Sequence, residues 1–310
     1  MKILITGVAG FIGSNLAERL LKEGYEVVGI DNLSQGVETQ VPDGVIFHKL
    51  DINAKEIFPL FEGVDFVFHL AAKSSVADCQ RDPISAIENN SVGTVNVLEA
   101  AKEAKVKGFI YSETSAVYEG SEIYPTPESE AKPQTFYAIS KLAGGMFAEA
   151  YHRFYNLPVV KLRYFNVYGP RQDYRRTIPP VMSAFIIKLL RGEAPIIYGD
   201  GSKRRDFIHV DDVNDFHLLC LRDDRVWGKV FNLGTGKNYS VLEIYEMISR
   251  LLGVSIPPIF KPDLPGEAQQ NLADITESRK LGWEPRISLE EGLKGMIEYI
   301  KEEMRKGNIK

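Results

Sequence analysis

Short apolar runs alternate with longer amphipathic segments along the first half of the chain. Between the runs, apolar residues recur at helical spacing, and one such segment predicts a helix over 82–105. Strands that are apolar throughout and separated by helices are typical of a parallel sheet covered on both faces. The pattern therefore predicts an α/β fold with a doubly wound parallel sheet. The predicted strands lie at residues 2–6, 25–31, 45–48, 65–70, 108–112 and 159–164.

The pattern changes after residue 166, where a loop containing glycine, proline and arginine precedes shorter elements. We expect a second, smaller region over 166–310 that caps the carboxyl ends of the sheet formed by 1–165, with the chain returning to the first region around 205–235. Ligands of open parallel sheets bind at that edge. The predicted elements of the second region are strands at 195–198 and 206–209 and helices at 178–191, 211–221, 241–252 and 289–304.

Composition narrows the class of protein and of partner. The 310 residues are 44% apolar and 25% charged, with neither a long apolar run nor a leader peptide, so we expect a protein of the cytoplasm that does not enter the membrane. The net charge is −5 and no basic block is interleaved with aromatic residues, which argues against nucleic acid as a partner. Cys79 and Cys220 lie outside any metal-ligand spacing, so we expect two buried thiols and no metal site.

Three glycines follow the first predicted strand and precede a helix. Side chains at Gly7, Gly10 and Gly13 would block the approach of a pyrophosphate to the helix N-terminus, where unpaired N–H groups stabilise negative charge. The trio alone is also compatible with a simple tight turn. Asp31, however, ends the second strand, where a carboxylate can bind the adenosine ribose hydroxyls and repel a 2′-phosphate. Together these features predict a Rossmann-type site that favours NAD over NADP.

A tyrosine and a lysine stand four residues apart in a segment with helical spacing. Tyr137 and Lys141 would share one helix face. An ammonium held about 4 Å from the phenol could favour the phenolate by up to ~4 kcal/mol at an effective dielectric constant of 20, which would make Tyr137 a base near neutral pH. Taken alone, such a pair is more often an ordinary combination of surface and core neighbours.

The topology of a doubly wound sheet brings further polar residues to the same crevice. The glycine turn follows the first strand, residues 112–115 follow the fifth, and Tyr137 and Lys141 lie on the next helix. A hydroxyl at Thr114 beside the phenol would hydrogen-bond an alcohol substrate and help to transfer its proton. Thr114 considered singly is a strand-end residue that caps a turn. The three segments together indicate hydride transfer between an alcohol and a ketone.

Eight segments match, in order and spacing, the motifs of one enzyme family. On these motifs the chain resembles the extended short-chain dehydrogenases/reductases that act on nucleotide sugars, most closely the UDP-glucose (UDP-galactose) 4-epimerases. The resemblance implies a tightly held NAD, a UDP-hexose substrate bound mainly by 166–310, and a homodimer formed through helices near 83–105 and 137–155. The matching segments are 6–13, 31–33, 69–72, 90, 112–118, 137–141, 163–171 and 205–212.

The resemblance also assigns roles to individual residues. It implies that Tyr137 is the base, with Lys141 and Thr114 as its catalytic partners. The residues implied to contact NAD are Gly7, Gly10, Phe11, Ile12, Gly13, Asp31, Asn32, Asp51, Ile52, Leu70, Ala71, Ala72, Asn90, Ser112, Tyr137, Lys141 and Tyr164. The residues implied to contact the nucleotide sugar are Ser74, Thr114, Ser115, Asn166, Arg171, Ile178, Tyr198, Arg205, Lys261 and Glu267.

The residues after Thr114 bear on the outcome of the reaction. Dehydratases and decarboxylases of this family carry an acid there, whereas this chain has Ser115 and Ala116, neither of which can remove a proton from carbon. Glu113 precedes Thr114, and adjacent side chains on a strand face opposite ways, so we expect a buried, hydrogen-bonded acid pointing out of the site. We therefore favour epimerisation at C4. A dehydratase or decarboxylase that uses Glu113, and a non-catalytic NAD-binding sensor, are the alternatives.

Several positions depart from the family pattern. The epimerases usually carry Arg-Pro-Gly-Asp near the diphosphate, but residues 264–267 read Leu-Pro-Gly-Glu, so we expect Lys261 or Arg171 to compensate for the absent arginine. Ser74 replaces a lysine that contacts the cofactor in some members. Glu119 is inserted before the glycine that usually follows the tyrosine. Asn271, near the wall facing sugar C2, is not bulky and leaves room for an N-acetyl group.

Overall fold

The computed structural model describes residues 1–175, 179–263 and 268–309. Within these ranges, seven parallel strands form the main sheet in the order β10-β6-β5-β4-β1-β2-β3. The predicted doubly wound parallel sheet is thereby confirmed. The strands are β1 Lys2–Thr6, β2 Glu26–Asp31, β3 Ile46–Lys49, β4 Phe66–His69, β5 Gly108–Thr114, β6 Val159–Tyr164, β7 Asn166–Tyr168, β8 Ile196–Tyr198, β9 Arg204–His209, β10 Val230–Leu233, β11 Asn238–Ser240 and β12 Ile259–Lys261.

Helices cover both faces of the main sheet because its strands are apolar on both sides. On one face, Ile3 and Ile5 pack against Leu16 and Leu20 of the first helix and against apolar residues of the seventh helix. The opposite face packs on the fourth and fifth helices. The helices are α1 Phe11–Lys22, α2 Val76–Arg81, α3 Pro83–Ile87, α4 Thr94–Glu103, α5 Phe136–Tyr155, α6 Val181–Leu190, α7 Val210–Cys220, α8 Val241–Leu252, α9 Thr276–Arg279 and α10 Leu289–Arg305.

The helix predicted over 82–105 is interrupted by a π-helical turn. A π-helical segment, Glu88–Gly93, lies between α3 and α4. Asp82 caps the start, since its carboxylate accepts a hydrogen bond from the Ser85 N–H at 3.1 Å. The π turn contains Asn90, which is fully buried and faces the neighbouring helix α5. Hydrophobic spacing did not reveal this change of winding, because the buried residues of the segment, Asn90, Ser91 and Gly93, carry no apolar side chain that would mark it.

Strand β10 was not predicted, although it completes the sheet at the edge beside β6. Its four residues include Asn232, a polar residue that is fully buried. The Asn232 amide donates to the carbonyl oxygens of Thr126 and Asp274, and its oxygen accepts from the Tyr118 hydroxyl. These partners lie far away in sequence. A short strand interrupted by a buried amide therefore gave no periodic pattern to recognise.

The second region assembles around two smaller sheets. β9 pairs with β7 and β11, and β8 pairs with β12. Apolar side chains of α6, α8 and α10 pack together beneath these strands. Helix α8 has a capping box formed by Ser240 and Glu243, and it ends at Gly253, whose φ of +69° suits glycine. β7 begins two residues after β6 ends, so this region continues directly from the carboxyl edge of the main sheet. The domain boundary near residue 165 stays a prediction.

Two expectations from composition can be compared with the structure. Cys79 and Cys220 are both buried free thiols, as predicted. Across 1–175, 179–263 and 268–309, no helix is long and apolar enough to cross a bilayer.

Candidate active site

A cavity of about 780 Å³ lies where the second region meets the carboxyl ends of the main sheet. This is the edge at which ligands bind in open parallel sheets. It brings together the glycine turn, the end of β5 and the start of α5. The residues predicted from sequence that line the cavity are Gly7, Gly10, Phe11, Ile12, Gly13, Asp31, Asn32, Ile52, Leu70, Ala71, Ala72, Ser74, Ser112, Thr114, Ser115, Tyr137, Lys141, Tyr164, Asn166, Tyr198 and Arg205.

The glycine turn between β1 and α1 leaves no room for side chains. Gly7 has a φ of +76°, and a Cβ there would lie 2.7 Å from the Ala71 amide nitrogen. A Cβ at Gly13 would overlap the Gly7 carbonyl. Gly10 precedes α1 and provides no side-chain cap, so N–H groups of the first helical turn remain available to an anion. The turn therefore fits a dinucleotide pyrophosphate at the helix N-terminus.

Asp31 ends β2 at the other side of this turn. Its carboxylate accepts hydrogen bonds from the Leu33 N–H at 2.8 Å and the Ala9 N–H at 3.1 Å. Burial raises the pKa of this carboxyl, and the two backbone donors act in the opposite direction. A carboxylate has about four acceptor sites, so two remain for ribose hydroxyls. This arrangement fits the adenosine end of NAD.

Asp51 does not line the cavity, and its predicted contact with the adenine end of NAD stays a prediction. Its carboxylate instead accepts a hydrogen bond from the Asn32 side-chain amide at 2.7 Å. Because Asn32 does line the cavity, Asp51 orients a neighbour of the cofactor site. Ile52, the next residue, reaches the cavity wall.

Tyr137 and Lys141 lie on the first turns of α5, as their spacing predicted. The helix begins after Thr135, whose hydroxyl accepts a hydrogen bond from the Ala138 N–H at 3.2 Å. Tyr137 is half-buried and lines the cavity. Lys141 is 2% exposed, and its Nζ lies 4.4 Å from the centroid of the Tyr111 ring. Both side chains therefore face the same crevice.

The Lys141 ammonium is strongly desolvated. Burial lowers the pKa of Lys141 to about 7, and the negative charge of Glu113 acts in the opposite direction. Among the described residues its Nζ has no hydrogen-bond partner. A buried donor of this kind fits the hydroxyl groups of a cofactor ribose, which would satisfy it. The spacing of Tyr137 and Lys141 alone does not reveal this desolvation.

Ser112 and Thr114 belong to β5, which extends two residues beyond the predicted strand end. Thr114 is 9% exposed and lines the cavity. Its Oγ1 accepts a hydrogen bond from the Ala116 N–H at 3.1 Å, so it also caps the turn that follows. As an acceptor from the backbone, the hydroxyl keeps its own proton for donation to another group.

Glu113 faces the opposite side of β5 from Thr114. The Arg163 guanidinium donates from Nε to its carboxylate, and from Nη1 to the Tyr118 hydroxyl at 2.8 Å and to the Glu128 carbonyl at 2.6 Å. Both members of the ion pair are buried, which confirms the expectation of a buried, hydrogen-bonded acid. Although Glu113 contributes to the cavity wall, Arg163 holds its carboxylate.

Three residues that were predicted to contact a ligand lie outside the cavity lining, and their contacts stay predictions. Asn90 does not line the cavity, since its amide bonds the backbone of Lys73 and the Ser140 hydroxyl. Arg171 does not line it either, because its guanidinium bonds Glu18 at 2.7 Å. Lys261 lies exposed on β12, outside the cavity lining.

Some predicted positions cannot be compared with the cavity, and Asn271 lies outside its lining. Ile178, Glu267 and the absent arginine at 264 lie outside the described residues. Asn271 supports Asn166 instead of facing the cavity, because its side-chain oxygen accepts hydrogen bonds from the Asp206 N–H at 2.8 Å and the Asn166 amide at 3.2 Å.

Sequence reasoning missed some basic residues that line the cavity, notably Lys73, Arg175 and Lys203. Lys203 is buried and pairs with Asp263. No motif marks these residues, and only the packing of the second region brings Lys203 to the cavity. Throughout the described portion of the chain, no group of three or more His, Cys, Asp or Glu residues is placed to hold a metal ion.

Comparison with known sequences gives one family over most of the chain. The profile of the NAD dependent epimerase/dehydratase family matches residues 3–234. The chain is 36% identical to the UDP-glucose 4-epimerase of Mycolicibacterium smegmatis, over 97% of this chain and 99% of that protein. It is 35% identical to the UDP-glucuronate 4-epimerase of Thermodesulfobacterium geofontis, over 96% of both. It is 32% identical to the UDP-glucuronic acid decarboxylase 1 of Danio rerio, over 98% of this chain and 73% of that protein.

Solved structures show the same similarity. The UDP-glucose 4-epimerase of Thermotoga maritima with UDP-glucose superposes with a TM-score of 0.95 at 38% identity, over 98% of this chain and all of that one. The UDP-N-acetylglucosamine 4-epimerase of Methanobrevibacter ruminantium gives 0.94 at 33%, over 98% and 99%. The UDP-glucose 4-epimerase of Thermus thermophilus in complex with NAD gives 0.90 at 32%, over 97% and 99%.

Proposed function

This chain belongs to the NAD dependent epimerase/dehydratase family as an NAD-dependent nucleotide-sugar epimerase, and we propose that it interconverts UDP-glucose and UDP-galactose. The observation that carries the proposal is the meeting of Tyr137, Lys141 and Thr114 with the glycine turn at one cavity. Relatives from Mycolicibacterium smegmatis and Thermotoga maritima carry the UDP-glucose 4-epimerase name and match nearly the whole chain. Relatives named for UDP-glucuronate and UDP-N-acetylglucosamine define the competing substrates.

The side chains divide the acid–base work among them. Tyr137, as a phenolate, removes the proton from the C4 hydroxyl and later returns it. The Lys141 ammonium stabilises the phenolate, while Thr114 donates a hydrogen bond to the same sugar oxygen. NAD, when bound, supplies the hydride acceptor that makes oxidation at C4 reversible. Inversion at C4 requires the 4-keto sugar to turn about its diphosphate link and present its other face, after which Tyr137 would return the proton with no net redox change.

The residues around Thr114 offer no available acid, which favours epimerisation over elimination or decarboxylation. Ser115 and Ala116 follow Thr114 and carry no carboxylate. Glu113, the acid that a dehydratase or decarboxylase would need, is engaged by Arg163 on the other side of β5. Because Arg163 binds this carboxylate away from Thr114, we expect Glu113 to take no part in removing a proton from carbon.

Exposed apolar side chains support a homodimer. We define the outer apolar face as Ile84, Ile87, Val92, Ile139, Met146, Phe147 and Phe154, which lie on α3, the π turn and α5. Phe154 is 72% exposed and Ile84 is 70% exposed. Apolar surfaces of this kind mark interaction sites. These helices are the ones that the family resemblance implied for dimerisation, so a second copy is the proposed partner.

The proposed reaction is tested by supplying three substrates without added cofactor. Purified protein is incubated with UDP-galactose, UDP-N-acetylgalactosamine or UDP-glucuronate, and the sugar protons are followed by NMR. We expect UDP-glucose to appear from UDP-galactose, at a higher rate than either competitor is converted. Faster conversion of another substrate would move the assignment to that sugar. A 4-keto-6-deoxy product or release of CO₂ would contradict epimerisation.

A further inference from the structure

Two buried groups of opposite charge near the base lack hydrogen bonds that their chemistry calls for. Lys141 Nζ has no hydrogen-bond partner among the described residues, and neither has Glu113 Oε1. Both residues are 2% exposed. The reaction proposed above uses Lys141 but gives Glu113 no part. A buried charged group that is not fully satisfied requires an explanation, because its desolvation is costly.

Both groups lie on the same face of α5. Gly145 stands one helical turn after Lys141, and a Cβ there would overlap Glu113 Oε1 and lie 3.4 Å from Tyr111 Cε1. The Tyr111 ring also lies under the Lys141 ammonium, and its hydroxyl donates to the Lys141 carbonyl at 2.8 Å. Glu113, Tyr111 and Lys141 therefore form a packed layer between β5 and α5.

Glu113 is the negative charge in that layer. The titratable groups around Lys141 are His69 on β4, Tyr111 and Glu113 on β5, and Tyr137 on α5 itself. Burial lowers the pKa of His69 well below its usual value and raises that of Tyr111 well above it, so both are neutral near pH 7. Burial opposes the ammonium form of Lys141, and the charge of Glu113 supports it.

Arg163 fixes Glu113 in this position without removing its effect. Its Nε bonds the other carboxylate oxygen, Oε2, and its Nη1 is directed to Tyr118 and Glu128. Oε1 stays on the side of α5. Arg163 therefore engages Oε2 and leaves Oε1 on the side of α5, the helix that carries Lys141.

We propose that Glu113 is a positioning residue that keeps Lys141 in its ammonium form beside Tyr137. The inference rests on the proposed role of the Tyr137–Lys141 pair, and it extends that role to an acid outside the pair. Without this carboxylate, the lysine would lose its proton at a lower pH, and the phenolate would lose its stabilising cation. Glu113 thus sets the alkaline limit of activity without touching the substrate.

The test measures the titration of Lys141 directly as well as the pH profile of turnover. Lysine is labelled with ¹³C at Cε, and the Lys141 resonance is assigned from its absence in Lys141→Arg. In Glu113→Gln we expect its titration midpoint to fall by about one pH unit, the lower end of the range of about 1–3 units by which a neighbouring opposite charge shifts a pKa. The falling alkaline limb of UDP-galactose turnover should move to lower pH by a similar amount.

Two further variants separate this effect from damage to the fold. Glu113→Gln leaves Arg163 buried without its partner and could prevent folding. The double variant Glu113→Gln/Arg163→Gln removes both charges, and its lysine titration is used if the single variant does not fold. We expect its lysine midpoint also to lie below that of the unsubstituted protein. Tyr118→Phe disturbs the same buried network but keeps the carboxylate, and it should leave the midpoint unchanged.

An unchanged lysine midpoint in Glu113→Gln, or in the double variant if the single one does not fold, would overturn the inference. A Tyr118→Phe shift equal to that of Glu113→Gln would also overturn it, because the cause would then be the packing of the network. The NMR titration needs no substrate. A shifted midpoint in a protein that converts no nucleotide sugar would therefore contradict the proposed function and leave the role of Glu113 standing.

Discussion

Lys141 shows at the scale of a single residue how function opposes stability. The protein buries its side chain among β4, β5 and α5, and burial lowers the pKa of Lys141 to about 7. Near neutral pH the ammonium is thus maintained at a cost, and the same charge makes Tyr137 useful as a base. Sites that hold such groups trade stability for activity.

Replacing Lys141 by methionine should separate the two effects. We expect Lys141→Met to lower turnover at least ~100-fold because the phenolate loses its cation. The cofactor-free variant should be more stable to urea at pH 6 by up to about 4 kcal/mol, because no charge is buried.

The pH dependence of this stability difference follows from the direction of the shift. The folded-state pKa of Lys141, about 7, lies below that of an unfolded lysine, about 10.4. Between these values the unfolded chain binds more protons, so this group makes the unsubstituted protein more stable as pH rises. The advantage of Lys141→Met should therefore shrink between pH 7 and about 10. An advantage that is independent of pH would contradict the burial of an ammonium.

Tyr137 provides the second test at this scale. We expect Tyr137→Phe to lower turnover by about 10²–10⁴-fold, since the residue is the proposed acid and base. Bound NAD, measured by its absorbance after denaturation, should remain, because the phenol ring is kept and the glycine turn is untouched. The exposed Tyr155→Phe on the same helix is the matched control and should stay active. Full activity in Tyr137→Phe would exclude it as the base.

At the scale of elements, the connection from β1 to α1 depends on backbone shape more than on side chains. The Gly7 carbonyl lies where a Cβ of Gly13 would be, so the first turn of α1 can approach the preceding loop only with glycine there. That close approach places the helix N-terminus at the cavity.

Gly13→Ala should therefore weaken cofactor binding by distorting the turn. We expect loss of most of the bound NAD and a less stable protein, because the obstructing atoms belong to the backbone and cannot rotate away. Gly295→Ala is the control: it lies exposed within α10, where a Cβ meets nothing within 4 Å. That change should keep NAD and stabilise the protein by up to about 1 kcal/mol. Equal NAD content in the two variants would contradict the proposed pyrophosphate site.

Strand β5 shows how one element can serve two purposes. Its side chains alternate, so Ser112 and Thr114 face the active-site side while Tyr111 and Glu113 face α5. Because β5 continues two residues beyond the predicted strand end, Glu113 and Thr114 also follow this alternation. The acid and the hydroxyl are neighbours in sequence but have separate surroundings.

At the scale of the whole molecule, the outer apolar face is the feature that the monomer leaves unexplained. Phe147 is 47% exposed and Phe154 is 72% exposed on the same side of α5. Burying side chains of this size on association stabilises a complex by about 25 cal/mol per Å² of apolar area removed from water, before the costs of association.

The proposed homodimer predicts a change of mass in solution. The protomer is 34.8 kDa, and we expect light scattering after gel filtration to give about twice that mass. Phe147→Glu/Phe154→Glu should yield the monomer mass, because it puts charges into the contact. Phe260→Glu changes an exposed aromatic residue on β12, away from this face, and should leave the dimer intact. A monomeric unsubstituted protein would contradict the proposed partner.

Much of the molecule could be predicted from local rules. The bounds of β1, β6 and α8 agree with the sequence pattern to the residue, since their apolar periodicity and capping signals are strong. The position of Asp31 at the end of β2 and the sharing of one crevice by Tyr137 and Thr114 also follow from topology. Strand β10 and the π turn were not predicted, because the partners of Asn232 and Asn90 lie elsewhere in the chain.

The sequence by itself determined the doubly wound sheet, the glycine turn and the spacing of Tyr137 and Lys141, because periodicity, steric exclusion and helix geometry act between near neighbours. Only the tertiary structure decided how deeply Lys141 is buried, which cations reach the cavity and what holds Glu113. Glu113 and Arg163 are 50 residues apart in sequence and meet only because β5 and β6 are paired. Desolvation and ion pairing depend on such contacts, so they appear only once the chain has folded.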